Sequence, residues 1–174
     1  MERLVDRFLR DGILALKSLH PNQHAYQARK SMDTALHQLV VRVQKALDQQ
    51  EIALGVLLHT EGASNNTSYD SSGHHLPNME LDHTIVRWIR ATLESRLVTV
   101  TLGELPRSVG VSRGCPQGGI LSPLQWCLVV NVLPARLNEG GVYTQGYVYD
   151  VCLLAAGKFP NTVSMLVQWV LHNV

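Results

Sequence analysis

The chain has 174 residues, enough for one domain with a hydrophobic core and short for two. Hydrophobic residues make up 45% of it and charged residues 17%, a balance typical of globular proteins that excludes a disordered chain. Fifteen Lys and Arg residues are offset by fourteen Asp and Glu residues. The net charge of +1 therefore provides no basic surplus for contacts with nucleic-acid phosphates.

The cellular setting expected from the sequence is intracellular, nuclear or cytoplasmic, with no membrane association. No apolar run approaches the roughly 20 residues that span a bilayer, and the first seven residues carry charges where a signal peptide would be apolar. The three cysteines, Cys115, Cys127 and Cys152, are odd in number and show no CxxC spacing. They are predicted to be reduced, partly buried thiols.

The first half of the chain predicts helices around one strand. Apolar residues three and four positions apart predict a helix over residues 2–19 and a second helix from Ser31, a suitable N-cap, to about residue 50. The nearly continuous apolar run at 52–58 is typical of a strand buried on both faces. A polar loop and a third helix follow at residues 61–75 and 84–95.

The second half predicts two hairpins and two helices. Branched residues at 97–102 and 108–111 alternate on either side of a Gly/Pro turn, which is a hairpin signal. After a glycine-rich loop, Ser122-Pro123 marks the start of a helix that runs to about residue 138, although Pro134 inside it is a breaker. A second hairpin at 142–156 and a last helix at 161–172 complete the chain.

This order of elements, α-α-β-α-ββ-α-ββ-α, predicts an α+β fold. Two helices packed on one face of a small antiparallel sheet would bury the apolar stripes of the helices and one face of the sheet.

The most specific segment is the loop that enters the fourth helix. It reads Arg113-Gly114-Cys115-Pro116-Gln117-Gly118-Gly119-Ile120-Leu121-Ser122-Pro123-Leu124. It resembles the motif before a palm-domain helix in reverse transcriptases of non-LTR retrotransposons of the jockey and R1 kind. The resemblance implies nucleotide contact by Gln117 and Gly118. The residue types suit this role, because glycine lets a ligand approach the backbone and the glutamine amide both donates and accepts hydrogen bonds.

Other segments follow the order of the same family along nearly the whole chain. Residues 20–27 with 35–37 resemble its fingers motif, and Gly146-Tyr147-Val148-Tyr149-Asp150 stands where the family has G-Y-x-D-D on a hairpin. The resemblance begins inside the fingers region and stops before the thumb. It implies a single partial domain, a fingers–palm fragment with a ferredoxin-like antiparallel sheet. Its expected segments are fingers-side helices at 1–50, a palm core at 51–160 and a C-terminal helix at 161–174.

Polymerases of this family hold two Mg²⁺ ions between three Asp carboxylates, and the resemblance implies where those positions fall. The first is His59, the second is Tyr149, and only the third, Asp150, is acidic. Imidazole is a poor ligand for Mg²⁺, which prefers oxygen ligands, and a neutral phenol adds no charge. Metal binding by Asp150 alone is therefore expected to be weak.

Two further positions depart from the pattern of the family. The aromatic residue that excludes the ribose 2′-hydroxyl is replaced by Ser64, and the Pro-Gly pair of the fingers motif is replaced by Ala28-Arg29. Losing the glycine is costly if the turn requires a positive φ.

The resemblance implies RNA-directed DNA synthesis as the ancestral activity, with an RNA template and a DNA primer as the partners. The departures indicate a degenerate, catalytically inactive copy that binds its partners weakly. Such a copy is most simply a genomic remnant without a present role. The alternatives are an active polymerase, which would need the missing carboxylates, and a non-catalytic nucleic-acid-binding module derived from the same domain, which would need a basic groove.

Two other site types have less support. A zinc cluster of His59, His74, His75 and His83 lacks the cysteines and the spacing of structural zinc sites. A serine hydrolase would need a G-x-S-x-G elbow, which the sequence does not contain.

Overall fold

The computed structural model describes residues 1–16, 18–66, 82–103, 105–116 and 118–172. They form two compact units that interleave along the chain. The first unit comprises Met1–Ser18 and Gly62–Val129, and the second comprises Leu19–Glu61 and Val130–Val174. The division into fingers-side, palm and C-terminal segments remains a prediction.

The elements are an alternation of helices and antiparallel strands, so the predicted α+β class agrees with the structure. The first half contains α1 (Glu2–Phe8), a π-helical turn (Leu9–Ile13), α2 (Leu14–Leu16), α3 (Met32–Asp48), β1 (Ile52–His59), α4 (Ala63–Asn66) and α5 (His83–Glu94). The second half contains β2 (Leu97–Leu102), β3 (Leu105–Gly110), α6 (Ser122–Val130), α7 (Val132–Glu139), β4 (Tyr143–Tyr147), β5 (Asp150–Gly157) and α8 (Pro160–His172).

Two of the predicted helices are interrupted. The N-terminal helix widens into the π-helical turn, which contains Gly12, a residue with low helix propensity. The helix that begins at Ser122 ends at Val130, and α7 starts at Val132. Pro134 explains this break, because it has no amide hydrogen to donate to the carbonyl of Val130 and its ring would collide with that carbonyl.

The loop before α6 depends on two glycines of the first unit. Gly118 has a φ of +80°, a conformation that other residues rarely adopt. A Cβ on Gly119 would lie 2.6 Å from the Ser122 hydroxyl oxygen, so no side chain fits there. The Ser122 hydroxyl was predicted to cap the helix; it donates to the carbonyl of Pro116 at 2.6 Å and thereby closes this loop.

The sheet of the second unit has the order β1-β5-β4, and both of its pairings are antiparallel. β5 lies in the centre, and its residues 151–155 are buried on both faces. β1 was predicted to be buried on both faces, and this was wrong. As an edge strand it alternates between half-buried and exposed residues, and Leu57 is 77% exposed.

Helices cover both faces of this sheet, which corrects the predicted packing on one face. The Gln145 side chain donates to the carbonyl of Ala35 at 3.0 Å and places α3 on one face. On the other face, the Val163 side chain of α8 lies 3.1 Å from where a Cβ on Gly157 would stand. Within the described part of the chain, every helix is too short or too polar to cross a bilayer. The three cysteines are buried thiols, as predicted.

The loop between residues 19 and 31 is fixed to β4 by backbone hydrogen bonds. The amide of His24 donates to the carbonyl of Gly146 at 2.9 Å, and the amide of Gly146 donates to the carbonyl of Asn22 at 3.0 Å. The Lys30 ammonium donates to the carbonyls of Pro21 and Gln23 at 2.6 and 2.8 Å. The loop ends at Ser31, which caps α3 in a reciprocal capping box with Thr34, as its predicted N-cap role requires.

Arg29, at the position that the sequence resemblance matches to a glycine of the fingers motif, has a φ of +63°. Its backbone is therefore in the left-handed region, which glycine tolerates best. We expect Arg29→Gly to raise the free energy of unfolding by about 1 kcal/mol, measured by urea denaturation. Arg87→Gly is the matched control, because Arg87 is exposed in the middle of α5. It should lower the same quantity by about 1 kcal/mol. If the Arg29→Gly protein were no more stable than the parent, the positive φ of Arg29 would not be a source of strain.

Stability should also depend on pH through two histidines of this loop. Burial, and secondly the charge of Lys30, lower the pKa of His20 and of His24. The unfolded chain then binds more protons than the folded one below the ordinary imidazole pKa of about 6.5. We therefore expect the free energy of unfolding to decrease as the pH falls from 7.5 to about 5. In His24→Gln, which stays neutral, this decrease should be smaller; an unchanged pH dependence would refute the role of His24.

Candidate active site

The register of the three-stranded sheet in the second unit brings three side chains into one row, at the end of the sheet where β1 and β4 end and β5 begins. His59 is the cross-strand partner of Asp150 in the β1–β5 ladder, and Tyr147 is the partner of Asp150 in the β4–β5 ladder. Directly opposed residues in antiparallel strands point to the same face of the sheet. His59, Asp150 and Tyr147 therefore share the face that carries α3.

His59 and Asp150 are in direct contact. The distance from His59 Nδ1 to Asp150 Oδ1 is 2.8 Å, within hydrogen-bonding range. The two side chains are 67% and 61% exposed, so solvent screens their interaction and its contribution to stability is small. The pair is an ion pair only when the imidazole is protonated.

Tyr149 lies in the two-residue turn between β4 and β5. Its carbonyl accepts a hydrogen bond of 2.9 Å from the amide of Thr60, the residue that follows β1. The turn therefore holds the ends of β1 and β5 together. Val148 precedes it with a φ of +53°, which is unfavourable for a β-branched residue.

The other predicted site residues are elsewhere in the chain. Gln117 lies outside the described residues, and Gly118 belongs to the loop before α6 in the first unit. Ser64 lies in α4, also in the first unit. Of the histidines considered for zinc, His74 and His75 lie outside the described residues. Within the described ranges no three His, Cys, Asp or Glu side chains are grouped as metal ligands would be.

A family model described as reverse transcriptase (RNA-dependent DNA polymerase) matches residues 1–172, almost the whole chain. The chain belongs to the reverse transcriptase family. No curated protein sequence matches it. Reverse transcriptases copy an RNA template from a primer and generally use a divalent metal ion, typically Mg²⁺. The match confirms the predicted reverse transcriptase family, and the non-LTR subgroup expected from the motif at 113–124 stays a prediction.

The residues of this reverse transcriptase chain do not fit a pair of Mg²⁺ ions. Among the three positions that the sequence resemblance matches to metal-binding residues, Asp150 is the only carboxylate, and its Oδ1 is in contact with His59. Mg²⁺ requires near-octahedral oxygen coordination, and two ions need shared carboxylates to offset their mutual repulsion. An imidazole and a phenol do not supply this.

Sequence reasoning missed an apolar cavity beside the His59–Asp150 pair. It measures about 360 Å³ and is open to solvent, and its walls come from α3, β1, β4 and β5 of the second unit. The apolar wall includes Met32, Leu36, Leu39, Leu57 and Cys152, with Tyr147 and Asp150 beside it. The helical periodicity marked Leu36 and Leu39 as one apolar face, but a periodicity does not tell whether that face is fully covered.

Proposed function

We propose that this chain is a reverse transcriptase domain of a non-LTR retrotransposon, of the jockey and R1 kind, in a copy without polymerase activity. The assignment to this subgroup rests on the residues 113–124 and on the Gly-Tyr-Val-Tyr-Asp sequence at 146–150. In this proposal residues 51–160 form the palm core, and the turn at Val148-Tyr149 corresponds to the tip of its catalytic hairpin.

The observation that carries the proposed inactivity is the 2.8 Å contact between His59 and Asp150. At position 59, where the proposal expects a carboxylate, the chain has an imidazole, and this imidazole contacts the Asp150 carboxylate. The formal charge of the three positions is −1 instead of −3 with His59 neutral. Each lost charge at 4 Å from a divalent ion corresponds to about 8 kcal/mol at an effective dielectric constant of 20, before desolvation offsets it. Even a small part of that energy prevents the pairing of two metal ions.

The purified chain should incorporate no deoxynucleotide above a no-enzyme control, with either Mg²⁺ or Mn²⁺. The measurement is primer extension on an RNA template, with an active reverse transcriptase as the positive control for the substrate. Primer extension by the unmodified chain would refute the inactivity, and the family assignment would remain.

Restoring the carboxylates should restore metal affinity. We expect His59→Asp with Tyr149→Asp to bind Mg²⁺ at least about tenfold more tightly than the parent, measured by calorimetry. Either substitution alone should have little effect, because the ions are shared between the ligands and the effects are coupled.

The matched control combines Tyr149→Asp with His37→Asp, because His37 is exposed on α3. It adds the same charge as the double variant but places one carboxylate away from the site. Equal gains in the two double variants would show that net charge, and not the positions 59 and 149, determines the affinity.

A further inference from the structure

The cavity beside the His59–Asp150 pair has a chemical character that metal-dependent polymerisation does not use. Its volume of about 360 Å³ is in the range of small-molecule sites. Met32, Leu36 and Leu39 come from consecutive turns of α3, and Leu57 comes from β1. Magnesium gains nothing from such walls because they offer no oxygen ligands. An organic ligand with an apolar body could bury that body there.

The sheet forms the wall of the cavity opposite α3, and the strand register fixes the order of the residues in this wall. Leu57 and Gln145 are both cross-strand partners of Cys152, which lies two residues further along β5 than Asp150, at the next position on the same face. The Cys152 side chain is buried, and a buried thiol adds apolar surface to this part of the wall. The Gln145 amide is already engaged with Ala35 and with the Tyr143 hydroxyl. The inner walls of the cavity therefore consist of apolar side chains and of the Gln145 amide, which already has hydrogen-bond partners in the protein.

The polar end of the cavity consists of Asp150, His59 and Tyr147. Among the described residues that line the cavity, Asp150 is the only acidic one and none is Lys or Arg. The contact with His59 uses Oδ1 of Asp150. An ionised carboxylate has about four acceptor positions, so Asp150 can accept a further hydrogen bond. The Tyr147 ring adds a second group that attracts cations.

We infer that this cavity binds a small organic ammonium ion whose apolar body lies against α3 and β1 and whose charged head contacts Asp150 and Tyr147. The carboxylate sets the sign of the ligand charge, and the leucines set its apolar character. This inference does not require polymerase activity or its absence, so it can fail independently of the proposed function.

The test uses 2-phenylethylammonium as the probe, with ligand-observed NMR and calorimetry on the whole chain. We expect a dissociation constant of about 1 mM or lower, as is usual for a ligand of this size. Two related compounds separate the contributions. 3-Phenylpropionate has a similar body with the opposite charge, and methylammonium has the charge without the body. Both should bind at least about tenfold more weakly. Equal binding of the propionate, or no binding of the probe at 10 mM, would overturn the inference.

Substitutions locate the site. Asp150→Asn should weaken binding of the probe about three- to tenfold, since a charge-assisted hydrogen bond at an exposed carboxylate is lost. Asp48→Asn is the matched control. It removes the same charge from the exposed C-terminal turn of α3, where Asp48 accepts a hydrogen bond from Gln44 and does not line the cavity. Its affinity for the probe should equal that of the parent.

An unchanged affinity in Asp150→Asn, or an equal loss of affinity in both variants, would exclude Asp150 as the residue that binds the charged head of the probe. The comparison of the three compounds on the parent chain needs no variant, so it holds even if a substitution impairs folding.

Magnesium competition distinguishes the organic ion from the metal of the family. Because one carboxylate does not hold Mg²⁺ tightly, 10 mM MgCl₂ should leave the affinity for the probe within about twofold of its value at matched ionic strength. Displacement of the probe by Mg²⁺, but not by NaCl at that ionic strength, would show that Asp150 is a metal ligand and would overturn the assignment.

Discussion

The position of the candidate active site depends on one constraint, the hydrogen-bonded register of β5 with strands on both of its sides. β5 pairs with β4 through a two-residue turn and with β1 across 91 positions of sequence. A shift of one residue in either pairing would turn the aligned side chains to the opposite face. The burial of residues 151–155 opposes such a shift, because each of these residues already occupies a packed position.

Two kinds of residue coexist in the sequence from Gly146 to Asp150. Gly146 has a structural role, because a Cβ there would collide with the Gln23 side chain and its backbone bonds the loop on both sides. Tyr149 bonds Thr60 through its backbone carbonyl and not through its side chain, so this contact does not require a particular side chain at position 149. The ends of β1 and β5 can therefore stay joined while the side chain at this position varies.

The sequence predicted those features that depend on neighbouring residues. The cap at Ser31 and the break near Pro134 are determined by local chemistry, and the structure has both. The edge position of β1 was not predictable in this way, because an apolar run has the same pattern whether one or two strands flank it. The cavity was missed for a similar reason. Its walls come from four elements, and only their packing determines whether Leu36 and Leu57 meet other side chains or solvent.

The separation of 91 residues between His59 and Asp150 also has a consequence for synthesis. At about 5 to 20 residues per second, a ribosome needs about 5 to 18 s to make β5 after β1 has been made. During that interval the apolar segment Ile52–His59 lacks the strand with which it pairs in the folded protein. The nascent chain thus exposes an unpaired apolar strand for seconds, and such a strand can pair with other chains.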